Sequence, residues 1–527
     1  MSYQSFLFLL FSAIVLFLYY IVGTKRQKWI LLLANIAFFV ISGAKYLPFI
    51  LVTICSTFFA GKKMGAVYQT LDMQLAECGG PEEKKRLRSS AKARAKRILI
   101  LSLAVSVGLL VVCKYTGFII VNVNSIVTMI GLSRLPLFKM ILPIGISFYT
   151  FMAVSYVLDI YWRRYEAEQD FVLYAAYLSY FPHVVQGPID RFDHIKKQVQ
   201  GGVKADYHNL TYGAQLALWG LFKKLVVADR LGLFVNTIYD NWRDYTGIIL
   251  VIATVLYSIQ IYADFSGCID IVAGISEMFG IKLDKNFDHP YFSKTMPEFW
   301  RRWHISLGEW FKDYIYYPVS ASSLVKRVKK SCKAKNNKRA GELFASCFPA
   351  FVVWLITGIW HGAAWKFVAW GLFHASLIIM GTLCSDFNSR LTEKLHIQTD
   401  TFSWKLWQMT RTFTLCCIGR VFFRAESLRA AIGIFANACK ELGVRYILSA
   451  DLFTYGLDLT NILMAIMSIG VLWVVDMMQE RMCVRDALAK QNLVFRWMIL
   501  YAGIFAVLIF GIYGAEFNAS EFIYEQF

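Results

Sequence analysis

The sequence predicts an all-α, polytopic membrane protein, and three observations carry that prediction. Of 527 residues, 57% are hydrophobic and only 17% charged, with a mean hydropathy of +0.48. Soluble domains run about 25% charged and about 45–50% apolar, so the chain departs from both norms in the direction expected when lipid is the solvent. Apolar runs near the length of a spanning helix recur along the whole chain, and basic blocks fall between them. In a soluble protein the net charge of +19 would raise the question of nucleic acid; here it marks basic cytoplasmic loops and contact with membrane lipid, and no nucleic-acid partner is expected.

The elements follow in chain order. The opening MSYQSFLFLLFSAIVLFLYYIVG has no basic leader and no small-residue cleavage site, so it is expected to be a retained first span. Spanning segments are expected near 5–23, 29–44, 46–61, 98–113, 139–162, 210–231, 246–266, 344–360, 364–384, 405–424, 461–478 and 495–513. With 171–188, interrupted by Pro and Gly, the total is about eleven to thirteen spanning or re-entrant helices. Lys25, Arg26 and Lys28, and then ten Lys and Arg against four acids in 62–97, are expected in the cytoplasm, with the N-terminus outside. Within that stretch 81–97 reads as a basic amphipathic helix entered through Pro81. The block 326–339, with eight cations and no acid, is expected to be a mobile cytoplasmic loop. The whole of 1–527 reads as one integral-membrane domain: N-terminal helices in 1–138, a core in 139–384 and C-terminal helices in 385–527. The 11 cysteines lie mostly in apolar runs without metal-ligand spacing, and neither a disulfide framework nor a metal site is expected.

Titratable groups inside lipid are costly, which makes them the first place to seek chemistry. His361 lies in TGIWHGAAWKFVAWGLFHA, where Gly358, Gly362, Ala363 and Ala364 allow close approach of a helix or substrate. Desolvation there disfavours an imidazolium, leaving a neutral ring able to accept a proton; an interhelical hydrogen bond would explain it equally well. His304 lies in PEFWRRWHISLGEWFKDYIYYP, read as one helix starting at Pro297 behind Thr295, with Trp300, Trp303, His304, Leu307 and Phe311 on one face. It would line a vestibule for an anionic or thioester substrate, or belong to an interfacial aromatic belt with Arg301 and Arg302 reaching headgroups. Asp264, Ser266 and Asp270 need partners in an apolar setting and could orient a histidine, pair Arg301 or Arg302, or cap a helix. Asp159, Gln186, Asp190 and Arg191 are weaker cases, and His374 is expected on another face from His361. Signatures of nucleotide-driven pumps and metalloproteases are missing.

The pairing of PEFWRRWHISLGEWFKDYIYYP with TGIWHGAAWKFVAWG resembles the membrane-bound O-acyltransferase (MBOAT) family. LPIGISFYTFMAVSYVLDIY, FPHVVQGPIDRF, YADFSGCIDIVAGISEMFGI and NFDHPYFSKTMPEFWRRWH extend the likeness over roughly 140–375, with GRVFFRAES and the final FIYEQF as weaker matches. Its bacterial branch includes the alginate O-acetylation membrane protein and the teichoic acid D-alanyl transfer protein. The resemblance implies helices around a central tunnel, a catalytic His361 and a second characteristic position at His304. Trp300, Arg301, Arg302, Trp303, Trp360, Asn286, Asp264, Ser266 and Gln186 become candidates to line the tunnel, with Trp303, Asn286 or backbone N–H groups as polarising donors. It further implies acetyl-CoA as donor substrate with no bound cofactor, and a bacterial plasma-membrane location. The acyl group would pass to an extracytoplasmic acceptor protein, resembling either an SGNH hydrolase or a teichoic-acid modification protein, and finally to a polysaccharide. Two alternatives stay open: a D-alanyl transferase fed by an acyl carrier protein, and a proton-coupled transporter whose histidines relay protons.

Overall fold

Among the described residues of the computed structural model, seven helical segments are long and apolar enough to cross a membrane: Thr24–Glu77, Pro81–Met129, Ile248–Met278, Lys338–His361, Trp365–Leu383, Leu459–Gln479 and Leu493–Phe510. Phe6–Ile21, Ile146–Tyr161 and Leu428–Ala438 are apolar but shorter. The structure describes residues 1–138, 140–440 and 458–513, so the FIYEQF ending lies outside the described residues. Among these, regular structure is helical apart from one isolated bridge, between Phe287 and Trp303. Phe17, Leu33, Ile126, Met380 and Leu508 stand exposed along the helices, the pattern of an all-α polytopic protein that turns apolar side chains toward lipid.

The expected spans map onto fewer, longer elements. Runs 29–44 and 46–61 fall in one helical segment, Thr24–Glu77, and 98–113 lies inside Pro81–Met129. The latter starts at Pro81 as expected and carries the basic stretch 81–97 straight into the apolar one, with Glu82 and Glu83 in its first turn. The Pro- and Gly-interrupted run 171–188 becomes the short helix Phe171–Leu178 followed by turns.

Two compact units make up the chain. The first comprises Met1–Ala214 and Val272–Asp284. In it Leu47–Glu77 packs on Pro81–Met129, and both pack on Ile146–Tyr161. Asn35 fixes the turn after Phe171–Leu178: its Nδ2 donates to the Ala176 carbonyl at 3.0 Å and its Oδ1 accepts from the Phe181 N–H at 2.9 Å.

The second unit comprises Gln215–Ile271 and Lys285–Phe527. Here Lys338–His361, capped by Asn337, and Trp365–Leu383 form a helical hairpin joined by the extended residues Gly362 and Ala364. A Cβ on Gly358 would lie 2.5 Å from the Phe367 carbonyl oxygen, and one on Gly371 would lie 2.5 Å from that of Trp354. The glycines let the two backbones touch.

The basic block 326–339 is not a loop. It forms most of the helix Ser323–Ala334 and the start of Lys338–His361, joined by a turn at Asn336 with φ +53°. Ser322 caps the first helix at the Val325 N–H, and Gly341 lets the second lie against Lys329 and Cys332. Lysine and arginine are good helix formers, and their charges point to solvent here, so the positive run did not preclude a helix.

Candidate active site

The histidines and their aromatic surroundings lie in the second unit; Gln186, Asp159 and Asp190 are buried in the first. His361 is the last residue of its helix, buried where the hairpin turns. Its ring meets Trp360 at 4.9 Å, Trp370 at 4.8 Å and Phe423 at 5.3 Å between centroids. The turn is tight because Gly362 leaves no side chain against the Phe367 ring. Below Phe423, Lys366 Nζ donates to the Phe423 and Ala425 carbonyls at 3.3 and 2.8 Å, placing a cation on the end of the helix Phe402–Arg424.

His304 arrives by a different route from the single helix expected. Thr295 and Pro297 start a helix as predicted, but it ends at Arg302; Trp303 is extended, His304 takes φ +49°, and a new helix runs Ile305–Phe311. The reason lies in another segment. Phe287 bridges Trp303, the Asp288 N–H donates to the Arg302 carbonyl at 2.9 Å, and the Ile305 N–H donates to the Asn286 carbonyl at 3.0 Å. A local helical period cannot anticipate backbone partners from elsewhere in the chain. Consequently the residues of one predicted face separate: Trp300 meets Trp354 and Trp370, whereas His304 meets Phe265 at 4.8 Å and Trp360 at 6.3 Å.

Asn286 meets the imidazole of His304. The Ser306 backbone N–H, which can only donate, points at Asn286 Oδ1 from 3.1 Å, and the Ser306 hydroxyl lies 2.9 Å from the same atom. That atom is therefore the amide oxygen, and His304 Nδ1 lies 3.1 Å from it. Burial lowers the His304 pKa to about 3, and the ring, outside the long apolar helices, is neutral at ordinary pH. Asn286 is itself buried, and its Nδ2 finds no acceptor among the described residues.

Trp360 thus touches both imidazoles, and the wall around them is aromatic. His374 belongs to the same wall, since the hairpin turn breaks the helix on which it was expected to face away. Its ring lies 4.8 Å from both Trp300 and Trp370, and Trp370 also touches His361. Gly419 leaves room for His374, and the next residue, buried Arg420, lays its guanidinium 4.1 Å over the Trp303 ring.

Of the partners open to Asp264 and Asp270, neither a histidine nor Arg301 or Arg302 is the one they pair with; both take lysines. Asp264 takes Lys224 at 2.6 Å, with Asp229 on the same Nζ at 2.9 Å; Lys223 takes Asp270 at 2.6 Å and Ser266 at 2.9 Å. Both lysines sit in a π-helical stretch, Phe222–Ala228, that interrupts the run 210–231, and close approach at Gly220 and Gly267 brings it against Ile248–Met278. Arg302 pairs instead with Glu298 and Glu480, and Arg301 is exposed. Asp159 pairs Arg164 at 2.9 Å, and Asp190 pairs His183 at 3.1 Å. The sequence reading passed over Lys223, Lys224 and Arg420, although each is a cation within an expected span, the same signal that singled out His361.

Residues 166–332 match the family model described as MBOAT, membrane-bound O-acyltransferase family. The chain is 30% identical over 430 residues to the probable alginate O-acetylase AlgI of Pseudomonas syringae pv. tomato, covering 82% of this chain and 73% of that protein. It is 30% identical over 441 residues to the peptidoglycan O-acetyltransferase of Helicobacter pylori, covering 79% and 74%. It is 26% identical over 289 residues to the teichoic acid D-alanyltransferase of Bacillus subtilis, covering 54% and 69%. Long apolar helices and relatives matched along most of their length converge: the chain belongs to the membrane-bound O-acyltransferase family and is a multi-pass O-acyltransferase of a bacterial membrane.

Proposed function

We propose that this enzyme takes an acetyl group from acetyl-CoA on the cytoplasmic side and delivers it across the membrane for O-acetylation of an extracellular or cell-wall polysaccharide. The carrying observation is the pair of buried histidines, His361 and His304, joined through Trp360 in an aromatic wall. Such a wall keeps water from a thioester while leaving two imidazoles to handle protons. The polysaccharide reading draws on the alginate and peptidoglycan O-acetylating relatives.

In this reading the acceptor hydroxyl oxygen attacks the thioester carbonyl carbon. His361 takes the hydroxyl proton, the C–S bond breaks, and the proton passes to the leaving thiolate, so that thiol and ester are the products. Asn286 Nδ2, a buried donor without an acceptor among the described residues, is the candidate to polarise the carbonyl. An extracytoplasmic acceptor protein, of SGNH-hydrolase or teichoic-acid-modification type, relays the acyl group to the polymer.

The test is the ester content of surface polysaccharides in cells carrying wild-type protein or His361→Ala at equal protein level, with released acyl groups identified by mass spectrometry. Loss of acetate is expected; retained acetate and D-alanine would overturn the assignment. The likeness to teichoic acid D-alanyltransferases supports a second reading, with a carrier-bound donor, which loss of D-alanine instead of acetate would establish. Membership of an acyltransferase family leaves no need for a proton-relay transporter.

A further inference from the structure

We infer that Asn286 is a positioning residue for the acyl-transfer centre: it holds His304 as the Nδ1–H tautomer, so that Nε2 presents a lone pair to the reacting groups. The inference rests on the reading above only in taking His304 to share in the chemistry. The hydrogen-bond geometry stands without it.

Three donors converge on one atom. The Ser306 backbone N–H and hydroxyl fix Asn286 Oδ1 as an acceptor at 3.1 and 2.9 Å, and His304 Nδ1 meets it at 3.1 Å. A flipped amide would set Nδ2 against the Ser306 N–H, donor against donor, in a place from which water is largely excluded. The backbone secures both ends: the Asn286 carbonyl accepts from the Ile305 N–H at 3.0 Å, and the next residue, Phe287, bridges Trp303. His304 is therefore held between two paired backbone positions, and its left-handed φ of +49° follows from that pairing.

The ring also has aromatic neighbours. Phe265 and Trp360 meet it as rings, and Trp303 beside it carries Arg420 on its face. Asp264, next to Phe265, is engaged by Lys224. An uncharged acceptor at 286 orients the imidazole without favouring its protonation, which suits a group that must stay neutral until it receives a proton. A carboxylate there would orient it equally well but would favour the imidazolium.

The experiment is nitrogen NMR of the full-length protein with ¹⁵N-labelled histidine in lipid nanodiscs, His304 being assigned by its loss in His304→Gln. Wild-type protein should show a protonated Nδ1 and an unprotonated Nε2. Asn286→Leu should show a mixed or inverted tautomer, and cellular ester content, acetate and D-alanine counted together, should fall at least tenfold. Asn286→Asp should keep the Nδ1–H tautomer, titrate His304 at higher pH than wild type, and recover part of the ester. An Nε2–H tautomer in wild type overturns the inference, and that measurement needs no variant at 286 to fold. So does an unchanged tautomer with normal ester in Asn286→Leu. Full ester in His304→Gln would instead defeat the role of His304 in transfer, a result separable from the tautomer measurement.

Discussion

His361→Ala removes an imidazole that touches Trp360, Trp370 and Phe423 at a helix end held by the Gly362 turn, so the loss should fall on chemistry more than on folding. A general base contributes about 10²–10⁴ in rate, and ester formation per folded molecule should drop by at least about 10². Acyl-ester quantification beside a protein-level blot checks this. A second residue-scale prediction concerns Asp284 in the first unit. Burial and the nearby Asp190 carboxylate raise its pKa from 3.8 to about 6, against the opposing pull of His194. Between those values the folded state holds a proton that the unfolded chain has released, so this group's contribution to stability falls as pH rises from about 4 to 6. Asp284→Asn should flatten that part of the dependence of melting midpoint on pH. An unchanged slope would show that another group sets it.

At the scale of elements, the hairpin of Lys338–His361 and Trp365–Leu383 depends on backbone contact at Gly358 and Gly371. Gly358→Val places carbon 2.5 Å from a carbonyl oxygen that cannot swing away, and overpacking of this kind costs about 1–3 kcal/mol. The melting midpoint in detergent should fall, and ester content with it, because the hairpin turn carries His361. The π-helical lysines fasten a second pair of elements. Lys224→Met would strand the Asp264 and Asp229 carboxylates in a buried site, at about 3–5 kcal/mol, whereas Lys224→Met combined with Asp264→Asn should recover part of that loss. Additive losses in the double variant would argue against the pair as the source. Asp264 is flanked by Phe265, which packs on His304, so the same lysine helps to hold the floor of the site.

For the whole molecule, charge asymmetry predicts orientation. Cys78 lies just before the basic stretch of Pro81–Met129, and Cys332 lies in the basic helix Ser323–Ala334. Both should be on the cytoplasmic side. In single-cysteine variants, a membrane-impermeant maleimide should label neither in intact spheroplasts and both in inverted vesicles. Labelling of either from outside would argue against this orientation and against the cytoplasmic donor entry proposed above.

The sequence by itself determined that the chain is helical and embedded in lipid, because hydropathy and the placement of basic residues are summed locally and survive any arrangement of the helices. It also determined which residues to watch: His361 with its small neighbours, His304 with its tryptophans, and a run of motifs specific enough to indicate the family. The tertiary structure alone decided how those residues meet. The 297–318 segment breaks at Trp303 because Phe287 and Asn286, nearer the N-terminus, pair with its backbone. His374 joins the aromatic wall because the chain turns back at Gly362, and Asp264 pairs Lys224 because a π-helical stretch is pressed against its helix at two glycines. Pairings between distant segments leave no local period, and so the partners of a buried charge or the tautomer of a buried histidine could be read only once the helices were in place.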